Sequence, residues 1–109
     1  MRILNAIVKP FKLDDVIEGF EHLGIKVFNV SDVNGYNQSE EERYGSSGYH
    51  CKYLPKVHVM AFVSENQVIL AKDMIIKSAR TGKVYDGMVW DIPLDGYTNI
   101  STGEEVNDS

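Results

Sequence analysis

The sequence predicts an α+β fold in which two β-α-β units form one antiparallel four-stranded sheet with two helices on one face. Two observations predict it. Apolar runs typical of strands flank segments of helical periodicity, and this β-α-β order occurs twice. A polar insert of about 18 residues separates the two halves, which is longer than an ordinary connection. This arrangement is the ferredoxin-like split fold, and the 109 residues suit a single domain over residues 1–109.

The first half begins with an apolar run at residues 3–8, which predicts a buried strand that ends at Lys9 and Pro10. Residues 13–23 carry apolar side chains at helical spacing, and Gly24 supplies the left-handed position that ends a helix. Residues 25–30 are again rich in strand-forming residues, and this run ends near Asn34 and Gly35.

The second half repeats the order. Residues 57–63 predict a third strand, and Ser64 with Gln67 predicts a capping box that begins a helix. Thr81 and Gly82 close that helix, and residues 88–92 predict a fourth strand. The third strand is almost continuously apolar, which predicts that both its faces are buried, one of them by a partner subunit. The acidic, polar residues 103–109 predict a mobile tail.

Composition narrows the classes of function. The formal net charge is -5 without a clustered basic run, which argues against a nucleic-acid partner. The apolar runs are far too short for direct membrane insertion. Cys51 is the single cysteine, which suits a reducing compartment, and we expect a cytoplasmic location. The sequence carries no triad-like arrangement, Walker motif or recognisable pair of catalytic carboxylates, so no catalytic residue and no enzyme activity are predicted.

The insert, about residues 36–53, is polar and glycine-containing, and it carries aromatic side chains. Long loops of this kind are often functional, and Tyr44 and Tyr49 are aromatic anchors that a partner protein could bury. The alternative is a solvated hairpin without a partner. A second alternative is a CutA-like or other trimeric module that binds a metal or a small anion through His50 and Cys51, although their spacing fits no closed metal site.

Three segments resemble the PII family of signal-transduction proteins. They are the opening segment at residues 6–16, the Leu-Pro-Lys-Val segment at residues 54–57, and a second signature at residues 79–90. Thr102, Gly103 and Glu104 match the C-terminal end of the family pattern. Together these segments span nearly the whole chain, with a slight contraction in the central insert.

The resemblance implies a homotrimer that acts as a regulator of nitrogen or energy metabolism. It implies clefts between subunits that bind adenine nucleotide, ADP or ATP, together with Mg²⁺, and no tightly bound redox cofactor. It implies that the protruding insert docks on a target, either a membrane transporter or a cytoplasmic metabolic enzyme. The family's nucleotide-binding positions, carried over one by one, are Gly35, Asn37, Gln38, Phe62, Asp86, Gly87, Met88, Asn99 and Ser101.

The chain departs from the family at several of these positions. Met88 stands where the family has a lysine, and Asn99 and Ser101 stand where it has paired arginines. Because fewer cations offset the larger charge of a triphosphate, we expect a di- or monophosphate to be relatively favoured. Lys56 and Lys83 remain as anion contacts; Lys56 matches the family lysine that meets the carboxylate of 2-oxoglutarate, and the alternative for it is a solvated lysine at a strand start.

Overall fold

The computed structural model describes residues 1–36, 53–83 and 85–107. The elements are β1 (Arg2–Val8), a 3-10 turn (Pro10–Lys12), α1 (Leu13–His22), β2 (Phe28–Tyr36), β3 (Tyr53–Val63), α2 (Glu65–Ala79), β4 (Gly87–Pro93), β5 (Tyr97–Thr98) and β6 (Glu105–Val106). The four long strands form one sheet in the order β2-β3-β1-β4, and every neighbouring pair is antiparallel. The predicted ferredoxin-like α+β fold is confirmed.

One face of the sheet is covered by the two helices, and the core lies between these layers. Every second residue of β1 and β3 points into this core, and α1 and α2 contribute the opposite wall. The buried apolar strand residues are Leu4, Ala6, Val8, Val57, Val59, Ala61 and Val63, and the buried helix residues include Val16, Phe20, Val68, Ala71 and Ile75.

Both helices begin and end much as the sequence predicts. Ser64 is the N-cap of α2, and its amide donates to Oε1 of Gln67 at 3.2 Å as part of the capping box. Helix α1 ends at His22, directly before Leu23 and Gly24, and Gly24 has a φ of 75°.

The second strand differs from the prediction because it begins at Phe28 and not at residue 25. The amide of Ile25 donates to the carbonyl of Phe20 at 2.9 Å, so this residue is tied to the end of α1 and not to a strand partner. Its side chain is nevertheless buried, which explains its apolar character in the sequence. Burial alone does not distinguish a strand from a connection that covers the core.

The C-terminal region forms a short further element that reaches into the predicted mobile tail, and the mobility of that tail stays a prediction. Tyr97 pairs with Val106 and Thr98 with Glu105, so β5 and β6 form a short antiparallel hairpin. Asn99 closes the hairpin, because its backbone amide donates to the backbone carbonyl of Glu104 at 2.8 Å. This hairpin lies beside the end of β3, where the rings of Tyr97 and Phe62 are 5.2 Å apart between centroids.

The third strand alternates between the two faces of the sheet. Val57, Val59, Ala61 and Val63 lie under the helices, and His58, Met60 and Phe62 lie on the opposite face. Among the residues that the structure describes, no helix covers that second face, and Phe62 is 40% exposed. The expectation that a partner subunit buries it remains a prediction.

Truncation of the core aromatic residue Phe20 tests this packing. Phe20 is 1% exposed, and its ring centroid lies 5.0 Å from that of Phe28. We expect Phe20→Ala to lower the free energy of unfolding by about 3–5 kcal/mol, since the cavity it leaves can only partly collapse. Urea unfolding at fixed protein concentration measures the loss.

The matched control is Phe11→Ala, since Phe11 is 71% exposed. This control should change the free energy of unfolding by no more than about 0.5 kcal/mol. Equal losses in the two variants would contradict the assignment of the core.

Candidate functional site

Apart from Ser101, the predicted site residues of the described chain fall on two separate surfaces. The first surface consists of Lys9, Gly35, Lys56 and residues 81–88, of which residue 84 lies outside the described chain. The second surface consists of Phe62, Tyr97 and Asn99, together with Asn29. Gly87 pairs with Val8 of β1, and Phe62 pairs with Ile3 of the same strand. The two surfaces are therefore five strand residues apart, or roughly 17 Å.

Asp86 organises the first surface. Its carboxylate accepts hydrogen bonds from the amide and the hydroxyl of Thr81, at 2.8 Å for the amide, and from the amide of Gly82 at 3.1 Å. The ammonium of Lys9 lies 3.1 Å from the same carboxylate. The hydroxyl and amide of Thr81 hold the pKa of Asp86 well below its usual range, and Lys9 and Gly82 lower it further. Asp86 is therefore a fixed negative charge that closes the turn after α2.

Lys56 connects this turn to the base of the insert. Its side chain is only 7% exposed, and its ammonium donates to the carbonyl of Tyr85. Gly35, on β2, leaves room for the lysine stem, because a Cβ there would lie 3.0 Å from Cγ of Lys56. The alternative of a solvated lysine at a strand start is therefore wrong.

The backbone around Tyr85 is held in an unusual conformation. Tyr85 has a φ of 62°, which is uncommon for a residue with a side chain and is typical of constrained functional turns. Gly87 follows with a φ of 127°, and a Cβ there would lie 1.8 Å from the carbonyl oxygen of Ile7. Gly87 is thus required for the close approach of β4 to β1, whether or not it also meets a phosphate.

Met88 and Lys83 complete the first surface. Met88 is 63% exposed and lies opposite Ile7 on the face without helices. Lys83 is exposed at the turn, and its amide donates to the Thr81 hydroxyl at 3.2 Å. A cavity of about 210 Å³ opens between this turn and the end of α2, and its lining includes Ile7, Arg80, Asp86, Gly87 and Met88.

The second surface is aromatic and neutral. A cavity of about 370 Å³ lies between the C-terminal hairpin and the ends of β2 and β3. Its lining consists of Val27, Phe28, Asn29, Met60, Ala61, Phe62, Tyr97 and Asn99. The rings of Phe62 and Tyr97 are each more than a third exposed, so they offer apolar area to a flat ligand. None of these lining residues is charged.

Asn99 and Ser101, which stand at the family's arginine positions, are not equivalent in the structure. The Oδ1 atom of Asn99 accepts from the amide of Ser101 at 2.9 Å and from its hydroxyl at 2.7 Å. Asn99 lines the second cavity, and Ser101 is in the hairpin turn and not in that lining. The sequence comparison places both residues in the site, whereas the structure brings only Asn99 beside Phe62.

Four other predicted positions lie outside the described residues. They are Asn37 and Gln38 of the nucleotide-binding set and Tyr44 and Tyr49 of the docking loop, and His50 and Cys51 of the metal alternative lie in the same range. Among the residues that the structure describes, no cluster of three or more His, Cys, Asp or Glu side chains could hold a metal ion. In the same part of the chain, no helix is both long and apolar enough for a membrane span.

Sequence reasoning missed several residues that build the two surfaces. Lys9 belongs to a motif that the sequence displays, but its contact with Asp86 joins segments from the two halves of the chain, whereas Thr81 lies only five residues from Asp86. Tyr97 is visible only as part of a weak strand, and its pairing with Phe62 depends on the hairpin. The sequence carries no local signal for such contacts.

Strand order and register define this molecule as a ferredoxin-like α+β protein with two candidate ligand surfaces at opposite ends of one sheet. The family model described as "Nitrogen regulatory protein P-II" matches residues 1–104. The chain belongs to the P-II family of signal-transduction regulators.

Individual relatives agree with the family model. The chain is 38% identical over 107 residues to the nitrogen regulatory protein P-II of Microchaete diplosiphon, with 96% of both chains covered. It is 36% identical over 111 residues to the protein of that name from Pasteurella multocida, covering 100% of this chain and 99% of the relative. It is 37% identical to nitrogen regulatory protein P-II 1 of Escherichia coli strain K12, again over 96% of both chains.

The lowered pKa of Asp86 gives a prediction for the first surface. A carboxyl whose pKa is lowered by folding stabilises the folded chain above its ordinary value of 3.8, and this contribution is lost as the pH falls below that value. We therefore expect Asp86→Asn to be less stable at pH 7 and to lose less further stability between pH 5 and pH 3. Urea unfolding at pH 7, 5 and 3 measures both effects.

Asp95→Asn is the control, since Asp95 is exposed and lies outside this turn. It should follow the pH profile of the unmodified chain. If Asp86→Asn and the unmodified chain had parallel profiles, the Thr81 and Lys9 contacts would not be holding the carboxylate in its charged form.

Proposed function

We propose that this chain is a P-II-type regulator that binds adenine nucleotide, ADP or ATP, in clefts between the subunits of a homotrimer. In this proposal it acts in the cytoplasm and controls a target protein, a membrane transporter or a metabolic enzyme, through the insert at about residues 36–53. The observation that carries the proposal is the separation of the predicted site into two surfaces. Since they are roughly 17 Å apart along β1, a cleft that uses both needs the second surface of another copy.

In this proposal the first surface contacts the phosphates of the bound nucleotide. Lys83 and Arg80 are exposed there, and Met88 replaces a cation with a thioether. Lys9 is already paired with Asp86, and Lys56 is bonded to Tyr85. Among the described residues of this surface, Arg80 and Lys83 are the cations that remain accessible, and Asp86 adds a negative charge beside them. Each further phosphate of a bound nucleotide therefore adds little affinity.

In this proposal the second surface binds the adenine base of the nucleotide. The tilted pair of Phe62 and Tyr97 offers apolar ring area, and the amides of Asn29 and Asn99 offer neutral hydrogen-bonding groups. Stacking of a base on an aromatic side chain is worth about 1–3 kcal/mol, so this surface carries the larger part of the affinity.

The contacts of Lys56 couple the conformation of the cleft to that of the insert. Its contact with Tyr85 joins the start of β3 to the turn before β4. β2 and β3 remain paired up to Tyr36 and Tyr53, so a shift at Lys56 or Gly35 is transmitted along a paired ribbon into the insert. Bound nucleotide that displaces Tyr85 or Gly87 thereby changes the conformation the insert presents to its target.

Calorimetric titration with adenosine, AMP, ADP and ATP tests this function. We expect one ligand per chain and less than a tenfold gain in affinity from AMP to ATP, because few cations are accessible. Tyr97→Ala should weaken the binding of every one of these ligands, by about 5- to 150-fold, since it removes one ring of the stacking pair. The conservative variant Tyr97→Phe should retain the affinity.

Two different results would contradict the proposal at different points. If no adenine nucleotide bound, the proposal of a nucleotide-binding cleft would be wrong. If ATP bound more than a hundredfold more tightly than AMP, the cleft would bind nucleotides mainly through their phosphates. The proposal that the second surface carries the larger part of the affinity would then be wrong.

A further inference from the structure

Met88 is the most exposed methionine of the chain, and it lies at the first surface. The sequence has four methionines. Met88 is 63% exposed, whereas Met1, Met60 and Met74 are half-buried. A dissolved oxidant reacts with a thioether that it can reach, so Met88 is the methionine that such an oxidant meets first.

Two of the other methionines are held by their neighbours. Met74 packs against the core, and its Sδ atom fills the space beside Gly19 where another residue would have a Cβ. Met60 lies on β3, with Asn5 of β1 and Asn29 of β2 paired to it on either side. Met88 is on β4, which among the described strands pairs with β1 alone. Its side chain therefore has fewer neighbours to shield it.

The groups around Met88 are those that meet phosphates in the proposed function. Met88, Arg80 and Asp86 line the same cavity of about 210 Å³. The carboxylate of Asp86 is held in its charged form by Thr81 and Lys9. A change in the polarity of the Met88 side chain therefore acts among charged groups, at the place where the ligand is charged as well.

Oxidation changes the hydrogen-bonding character of this side chain. A peroxide transfers one oxygen atom to the sulfur: the O–O bond breaks, an S–O bond forms, the sulfur loses two electrons and the peroxide is reduced to water. A thioether is only a weak acceptor, whereas the sulfoxide is polar and its oxygen accepts hydrogen bonds without donating any. The formal charge of the side chain stays at zero.

We propose that Met88 is a redox-sensitive site, at which oxidation by a peroxide weakens the binding of nucleotide phosphates. The inference rests on the proposed function and adds a regulation of the same site. A cleft that admits a nucleotide also admits a peroxide, which is far smaller. The sulfoxide and phosphate oxygens are all acceptors, and acceptors that face each other without a donor cost free energy. The sulfoxide also competes with phosphate for the donors of Arg80.

The effect of oxidation depends on the charge of the ligand. Adenosine has no phosphate and binds at the second surface in the proposed function, so its affinity should change by less than about twofold. The affinity for ATP should fall about three- to tenfold. The oxidised chain should thereby lose most of its preference for ATP over AMP.

Peptide mapping by mass spectrometry, with calorimetry on the same samples, tests the inference. Dilute hydrogen peroxide should convert Met88 to the sulfoxide before Met60 and Met74. The affinity for ATP should fall in proportion to the fraction of Met88 sulfoxide. Treatment with methionine sulfoxide reductases should restore both the thioether and the affinity.

Met88→Leu is the variant that isolates the sulfur, since it retains Cys51 and the other three methionines. Its affinity for ATP is compared before and after peroxide, and the two values should agree. Met60→Leu is the matched control, because it keeps Met88 and should lose affinity for ATP on oxidation as the unmodified chain does.

Three results would overturn the inference and leave the proposed function intact. They are oxidation of Met60 or Met74 before Met88, an equal loss of ATP affinity in Met88→Leu, and an equal loss for adenosine and ATP. If the chain bound no adenine nucleotide before oxidation, the proposed function would be wrong and the inference with it. If Met88→Leu fails to fold, the comparison of ATP with adenosine in the unmodified chain decides the question.

Discussion

The alternation of β1 and β3 between a covered and an uncovered face is the constraint on which the other features depend. Leu4, Ala6 and Val8 can reach the helices only if Ile3, Asn5 and Ile7 point away from them. The core is thereby complete within one chain, whereas no helix among the described residues covers the opposite face. The same strand also sets the distance between the two candidate surfaces, because one lies beside Val8 and the other beside Ile3.

Under the proposed function, the electrostatics of the first surface imply that nucleotide recognition depends little on charge. The turn after α2 is closed by hydrogen bonds from Thr81 and Gly82 to the carboxylate of Asp86, and Lys9, which follows β1, forms an ion pair with the same carboxylate. The ammonium of Lys56 donates to the backbone carbonyl of Tyr85, a residue with a positive φ. These contacts hold the turn in place and leave fewer cations for a ligand, whereas the second surface offers aromatic area without charge.

Much of the fold is predictable from the sequence, because strands, caps and the glycine after α1 leave local signals. The 3.6-residue pattern of α1 and the Ser64 capping box predict the helices, and the polar insert marks the boundary between the halves. Ile25 shows the limit of this reasoning, since a buried connection and a buried strand have the same composition. The site is less predictable. Tyr97 meets Phe62 and Lys9 meets Asp86 only through the tertiary fold.

The central claim is that each ligand site combines the first surface of one copy with the second surface of another, and mixing of two variants tests it most directly. Lys83→Glu alters the first surface and Asn99→Glu the second, and each alone should bind ATP poorly, because the new carboxylate repels the triphosphate at the first surface or replaces the neutral amide beside the base at the second. Unfolding the two variants together and refolding them as mixed trimers should restore strong binding at about a quarter of the sites, since one arrangement in four joins two intact surfaces. Mixed trimers that bind no better than the separate variants would contradict the claim.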